Sequence, residues 1–427
     1  MILLVATLFL APAPQDSLTL AWVHARAEAM DPRRGQRDQL AAASEQRTAV
    51  LRSARLPQLA IRAQATHQSD VTRVQLPGAN ITPPPRDRWQ AVLQAEQLLF
   101  DGGLVEGRVA LESSRLVEQQ AGVRVALYAL RGEAETAFFG AWLLQERLDE
   151  LDAVTADLAS RLGEVRARVR EGLALPRDTA AIAAERLTVV RRRAEADVQR
   201  QAAIAVLSRL TDTTLAASVR LVGPVLSGVV DAIATTALDT LRHRPEFAQL
   251  QATQDRLARE AALAAAENRP TLSAFAEGGV GRPGLNQFEP DPAAFWQGGV
   301  RVTWRPWTWR SAEHSAGALR AQGEVVAADA LALAARLSRA VEADLAMIHH
   351  LREGFADDAR LITLRSEIEQ AAQAELAEGI ITAARYVEAR TDLAEARLAE
   401  RRHRAELVRA EAAFLTTLGI AIPAARE

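Results

Sequence analysis

The chain of 427 residues contains no cysteine. That excludes a disulfide framework, a thiolate metal site and a lipidated N-terminal cysteine. Lysine is also absent, so all 51 basic residues are arginine, a bias that with the abundant alanine reflects nucleotide composition more than function. The net charge is only −3, which gives no reason to expect nucleic acid or anionic lipid as a partner. The apolar run from Ile2 to Leu10 is too short to cross a bilayer as a helix. With Ala11-Pro12-Ala13 behind it, the run fits a secretory signal peptide over residues 1–13, although the positive n-region is missing. The other reading is a short buried segment or a start codon placed too late.

Catalytic signals are equally scarce. The seven histidines are scattered, and the one adjacent pair, His349-His350, has no metal-ligand spacing around it. Gly278-Gly279-Val280-Gly281 is not a phosphate loop, because Pro283 follows and no helix opens there. No catalytic residue, cofactor or metal is expected, and an enzyme is the least supported class.

What the chain does have is a long internal repeat. Phe100 to Gly172 and Trp307 to Gly379 are both intervals of 72 residues (172 − 100 and 379 − 307). Further back, Asp31-Pro32 answers Arg244-Pro245, and Leu56-Pro57-Gln58-Leu59 answers Arg269-Pro270-Thr271-Leu272, both at an offset of 213 (245 − 32 and 270 − 57). The later offset is 207 (307 − 100), so the first copy carries six extra residues between Pro57 and Phe100, the mark of a tolerant loop. The repeats are expected over residues 15–230 and 231–427.

Each copy contains two alternating segments. Leu59, Ile61, Ala63 and Ala65 alternate with Arg62, Gln64 and Thr66. Trp89, Ala91, Leu93 and Ala95 alternate with Gln90, Gln94 and Glu96, with Val92 and Leu98 blurring the pattern. In the second copy Leu272, Ala274, Ala276 and Val280 oppose Ser273 and Glu277, and Trp296, Val300, Val302 and Trp304 oppose Gln297, Arg301 and Thr303. Strands are predicted at about 58–67, 88–99, 271–280 and 295–305. A half-solvated soluble sheet would alternate in the same way. Two details favour a membrane: each run has the length of a tilted bilayer-crossing strand, and Trp296, Trp304, Trp307 and Trp309 cluster near strand ends. Trp89, Trp296, Trp304 and Trp307 are the expected interface aromatics. Four strands cannot close a barrel in lipid, so this reading requires several copies; three would supply twelve strands.

Between the strand pairs and the glycine turns lie very long helical segments. Leu144, Leu148, Leu151, Thr155, Leu158, Leu162, Val165 and Val169 form a heptad seam. In the second copy Leu351, Phe355 and Ile362 take the equivalent places before the pattern shifts to Leu361, Leu364 and Ile368. Helices are predicted at about 103–170, 178–211, 310–377 and 383–418, the first being on the order of 100 Å long. Thr211 to Val230, with Gly223-Pro224 and Gly228, breaks this rhythm and reads as a side element.

Taken together, these pieces resemble the TolC-like outer-membrane efflux protein family over nearly the whole chain. The resemblance rests on Arg244-Pro245-Glu246, the two Pro-containing strand starts, Leu99-Phe100-Asp101-Gly102-Gly103, Glu378-Gly379-Ile380-Ile381-Thr382 and Phe414-Leu415-Thr416-Thr417-Leu418-Gly419. It implies a mainly α protein with a small transmembrane β part: a homotrimer with a 12-stranded β-barrel in outer-membrane lipid and an α-barrel across the periplasm of a Gram-negative-type envelope. It also implies a periplasmic adaptor, an inner-membrane pump and iris-like opening of the tip, in drug, metal or protein export. Adaptor docking falls by resemblance on Gly172, Leu173, Gly379 and Ile380, and a channel gate on Asp178, Arg385 and Glu388. Family gates carry acidic rings at the last two places, so Arg385 departs from the pattern; it would pair with Glu388 or Asp178. The alternative is that all three are solvated charges. For the chain as a whole, the alternative is a coiled-coil adaptor or scaffold without a pore.

Overall fold

A computed structural model describes residues 17–71, 83–287 and 289–423, the side chain of Leu238 excepted. The expected signal peptide, and residues 72–82 of the first hairpin tip, lie outside the described residues.

In chain order the strands are β1 (Ser17–Thr19), β2 (Gln58–His67), β3 (Asp87–Phe100), β4 (Arg220–Val222), β5 (Thr271–Arg282) and β6 (Ala293–Thr303). The helices are α1 (Leu20–Met30), α2 (Gln36–Ser53), α3 (Leu104–Arg170), α4 (Pro176–Leu210), α5 (Ser227–Ile233), α6 (Ala237–Thr240), α7 (Pro245–Ala266), α8 (Ser311–Ala377) and α9 (Ala383–Leu418), with short 3-10 turns between some of them. Helices α3 and α8 each have 67 residues, about 100 Å at the usual helical rise. None of the described helices is long and apolar enough to cross a membrane.

The chain divides into two units. One gathers the described parts of Met1–Gly35, Val123–Phe247 and Leu331–Glu427, the other Gln36–Gly122 and Ala248–Ala330. Each unit therefore draws on both sequence repeats: the repeat orders the chain, while the units reflect packing.

The first unit is held by a core in which Phe138 meets Phe139 edge-on at 5.6 Å and Leu18, Leu20, Leu207, Leu226, Phe414 and Leu418 are buried. The irregular stretch read as a side element belongs to this core through Leu215, Val219, Leu221, Leu226 and Val230. Within it β4 pairs in parallel with β1, Leu18 opposite Leu221. Gln145 completes the edge of β4, accepting from the Leu221 N–H at 2.9 Å and donating to its carbonyl at 3.0 Å. A second core follows the heptad seam, where Val154, Leu158, Leu162 and Val165 of α3 pack with Ile182 and Val189 of α4 and Ala383 of α9.

The second unit carries one antiparallel sheet in the order β2-β3-β5-β6. Its exit into α3 explains the Asp101-Gly102-Gly103 sequence. The Asp101 carboxylate accepts from the Gly103 and Val105 N–H groups at 3.0 and 2.6 Å, capping the helix. Gly102 has φ +65°, and a Cβ there would lie 2.5 Å from Cβ of Arg269, so backbone conformation and space both demand glycine.

Candidate channel-forming sheet and helix-hairpin tips

The sheet register decides which side chains share a face. Ala95 of β3 lies opposite Leu59 of β2 and Ala276 of β5, and Ala276 lies opposite Gly298 of β6. Stepping two residues along each strand puts Leu59, Ile61, Ala63 and Ala65, Leu93 and Ala91, Ala274 and Val280, and Trp296, Val300 and Val302 on one side. That face carries no charge between its ends. It is also open: Leu59 is 72% exposed, Ile61 82%, and Val300 and Val302 67%. On the other side lie Arg62, Gln64 and Thr66, Gln90, Gln94 and Glu96, Glu277, and Gln297 and Arg301. Here Arg301 pairs with Glu96 at 3.6 Å, and the Gln297 amide donates to Glu277. Val92 lies on this polar side, which is why the β3 alternation looked blurred.

All four expected interface aromatics are exposed: Trp89, Trp296, Trp304 and Trp307. Trp307 stacks edge-on against Trp309 at 5.7 Å just after β6, and the indole N–H of Trp304 donates to the Asn268 carbonyl at 3.1 Å. An amphipathic ring with its polar atom satisfied and its body open suits a boundary between apolar and wet surroundings.

At the tips of the two helical hairpins, α3–α4 and α8–α9, the outgoing helices α3 and α8 end in the same way. Gly172 and Gly379 have φ +77° and +75°. Leu173 N–H donates to the Arg168 carbonyl, and Ile380 N–H to that of Glu375, both at 2.8 Å; Gly172 and Gly379 N–H donate to Val169 and Leu376 at 3.2 and 3.1 Å. This double bonding after a left-handed glycine terminates each helix and leaves Leu173 and Ile380 pointing outward, 63% and 72% exposed.

Asp178 sits three residues into the turn of α4 and is engaged twice. Its carboxylate accepts from the Leu175 N–H at 3.1 Å, closing its own helix start, and from the Ala383 N–H at 3.2 Å, at the start of α9. It thus ties one hairpin to the other. Arg385 and Glu388 form an exposed ion pair one turn apart on α9. Of the two partners expected for Arg385, the structure brings up Glu388.

The contact that sequence reasoning missed lies beside this pair. Tyr386 is fully buried, and its hydroxyl donates to Asp157 of α3 at 3.5 Å; Arg390, one turn on, donates to the same carboxylate oxygen at 2.8 Å. Burial, and then the Asp157 charge, push the Tyr386 hydroxyl up to about 12. The Arg161 guanidinium lies 5.8 Å over the Tyr386 ring, and Arg168 donates to the Leu376 carbonyl at 2.9 Å. Asp157 therefore locks α9 to α3 below the tips. The only sequence signal was scarcity: the chain has two tyrosines, and this one shares a helix face with an arginine four residues later.

No family model matches the chain, and no curated protein does. Among solved structures it is similar to CusC, whose structures concern folding and transmembrane channel formation, with TM-score 0.72, 12% identity, and 94% of this chain and 92% of that one covered. It is similar to the outer-membrane protein VceC of Vibrio cholerae, with TM-score 0.68, 14% identity and 95% and 97% covered. It is likewise similar to the Neisseria gonorrhoeae outer-membrane channel MtrE in its open state, with TM-score 0.65, 16% identity and 94% and 89% covered. The fold of this chain is that of TolC-like outer-membrane channels.

Proposed function

We propose that this chain is the subunit of a trimeric outer-membrane channel in a tripartite efflux system, spanning the outer membrane with its strands and the periplasm with its helices. The observation that carries this reading is the uncharged face shared in one register by β2, β3, β5 and β6. Burying such a face within one chain would need a covering layer; lipid covers it without one. In hydrocarbon the edge strands β2 and β6 must also be paired, and pairing β2 of one copy with β6 of the next in three copies closes twelve strands. The polar face then lines the pore.

The tips supply the second half of the mechanism. Exposed Leu173 and Ile380, each presented by a rigid glycine turn, are apolar docking points for a periplasmic adaptor that recruits an inner-membrane pump. The Asp157–Tyr386–Arg390 lock and the double cap by Asp178 hold the hairpins together, so opening by an outward, iris-like shift of α9 requires these bonds to break. Arg385 and Glu388 carry compensating charges on an exposed turn and form the outer part of the same gate. Type I secretion of proteins would use the same architecture; the cargo is set by the pump.

Membrane fractionation followed by chemical crosslinking tests the reading. A crosslinked trimer extracted from outer membranes by detergent is the expected result. A monomer in the aqueous fraction would overturn it in favour of a periplasmic adaptor or scaffold.

A further inference from the structure

Charge is unevenly distributed along the polar face of the sheet. Measured by register on β3, Arg301 falls at the level of Leu98, Glu96 two residues on, and Glu277 at the level of Gln94. Both acidic groups are engaged, Glu96 by Arg301 at 3.6 Å and Glu277 by the Gln297 amide. Beyond them, towards the two hairpin loops, Arg62 falls at the level of Val92 and Arg88 at that of Thr66. Neither has an acidic partner among the described residues, and no acidic side chain shares the polar face at their levels.

The same half of the face contains a recess of about 310 Å³ lined by Gln64, Thr66, Gln68, Arg88, Gln90 and Gln287. Beside these amides, the hydroxyl and the Arg88 guanidinium, Trp89 and Arg282 also line it, Arg282 donating through Nε to the Pro290 carbonyl at 2.8 Å, and Nε of Arg88 is buried without an acceptor among the described residues. A buried charged donor left unbonded is costly, and the group that satisfies it best is an anionic oxygen, which an arginine can grip through two N–H groups. Amide side chains complete the hydrogen bonding of carboxylate or phosphate oxygens without bringing a competing negative charge.

We propose that the loop-side half of the polar face is an anion-recognising station, in which Arg62 and Arg88 with the amide recess favour solutes bearing a carboxylate or phosphate group. The proposal rests on the channel reading, under which the hairpin loops face the outside and threefold closure brings six such guanidiniums round the exit. Because they line a pore narrower than bulk solvent, beside low-dielectric walls, salt screens them less than it would isolated surface charges.

Purified trimer in planar bilayers under a KCl gradient, with inorganic phosphate then added on the loop side, tests this. If the closed tip keeps current too low to read, the same substitutions are measured in an Arg390→Ala background. The wild-type reversal potential should show preference for chloride, and phosphate should reduce the current. R62Q/R88Q should lose both effects, while R62K/R88K, which keeps the charge, should retain the chloride preference. A conducting R62Q/R88Q trimer with unchanged reversal potential and unchanged phosphate block overturns the proposal and leaves the channel reading intact. Absence of conductance in both backgrounds overturns the channel reading itself.

Discussion

Replacing Asp157 by alanine removes the one acceptor shared by Tyr386 and Arg390, and the size of the effect can be worked from the contacts. The Arg390 side chain is 8% exposed, so the substitution strands a charge in a dry site; Asp157 itself is 32% exposed, so water recovers part of the loss. Breaking a fully buried ion pair costs about 3–5 kcal/mol, and losing a hydrogen bond to a charged group about 1.5–3 kcal/mol. The partial exposure places this case in the lower range, about 2 kcal/mol per chain. If that energy is spent holding α9 against α3, the closed-to-open ratio falls roughly 30-fold for each chain, since about 1.4 kcal/mol is a factor of ten. Under the channel reading, Asp157→Ala and Arg390→Ala should therefore raise single-channel conductance in bilayers, and the double variant should not exceed the larger single effect, because both break the same bond. Tyr386→Phe, which removes only the longer 3.5 Å bond, should act more weakly. A fall in thermal stability with conductance unchanged in all three would refute the argument and reduce the cluster to packing.

Other consequences are measurable in the same material. Burial lifts the Glu135 carboxyl to about 7 and drops the His24 imidazole to about 4, so the two, 3.6 Å apart, are uncharged together near pH 6. The raised carboxyl loses stability as pH rises from its unfolded value to about 7, whereas the lowered imidazole gains it as pH rises from about 4 to 6.5, so the slopes oppose one another where they overlap. Glu135→Gln keeps an acceptor for the Thr416 hydroxyl but leaves the imidazole slope unopposed, so stability should increase by about 3 kcal/mol between acid and neutral pH, read by denaturation at a series of pH values; a flat profile would contradict the assignment. Gly172→Ala or Gly379→Ala forces a side chain into the left-handed region at about 1–2 kcal/mol each, and under the channel reading should weaken crosslinking to an adaptor more than it alters trimer yield. Val300→Arg places a charge on the uncharged face and should cost about 2–4 kcal/mol at mid-membrane, blocking insertion, whereas Gln297→Arg on the polar face should insert normally; equal insertion of both would overturn the facial assignment.

Where packing is periodic, the sequence spoke clearly. Strand alternation placed Leu59, Ile61, Val300 and Val302 on one face because a pleated strand allows no other arrangement. The heptad seam found Leu158, Leu162 and Val165 because a helix buried along one stripe must repeat that stripe. Legibility fails where a contact has no period. β1 and β4 are three residues each and pair across a separation of 203 residues (220 − 17), too short to imprint alternation. Asp157, Tyr386 and Arg390 meet across 229 and 233 residues, one side chain apiece.

Asp178 has two readings: by resemblance it is a gate charge, while an acidic residue just after Pro176 is also a helix-start signal, and the carboxylate accepts from two backbone N–H groups. Under the channel reading, a charge so engaged would act in the gate by releasing Ala383 when α9 moves rather than by repelling ions. Leu361, Leu364 and Ile368 mark the remaining ambiguity. They continue the helical apolar pattern of α8 yet are 45%, 49% and 49% exposed in the single chain. Periodicity reports that a stripe is meant to be covered, not which chain covers it; under the channel reading these side chains belong to the seam between neighbouring copies. Leu364→Arg should then abolish the crosslinked trimer while leaving the helix content of the chain intact, and a variant that still assembles would place that stripe outside the subunit contact.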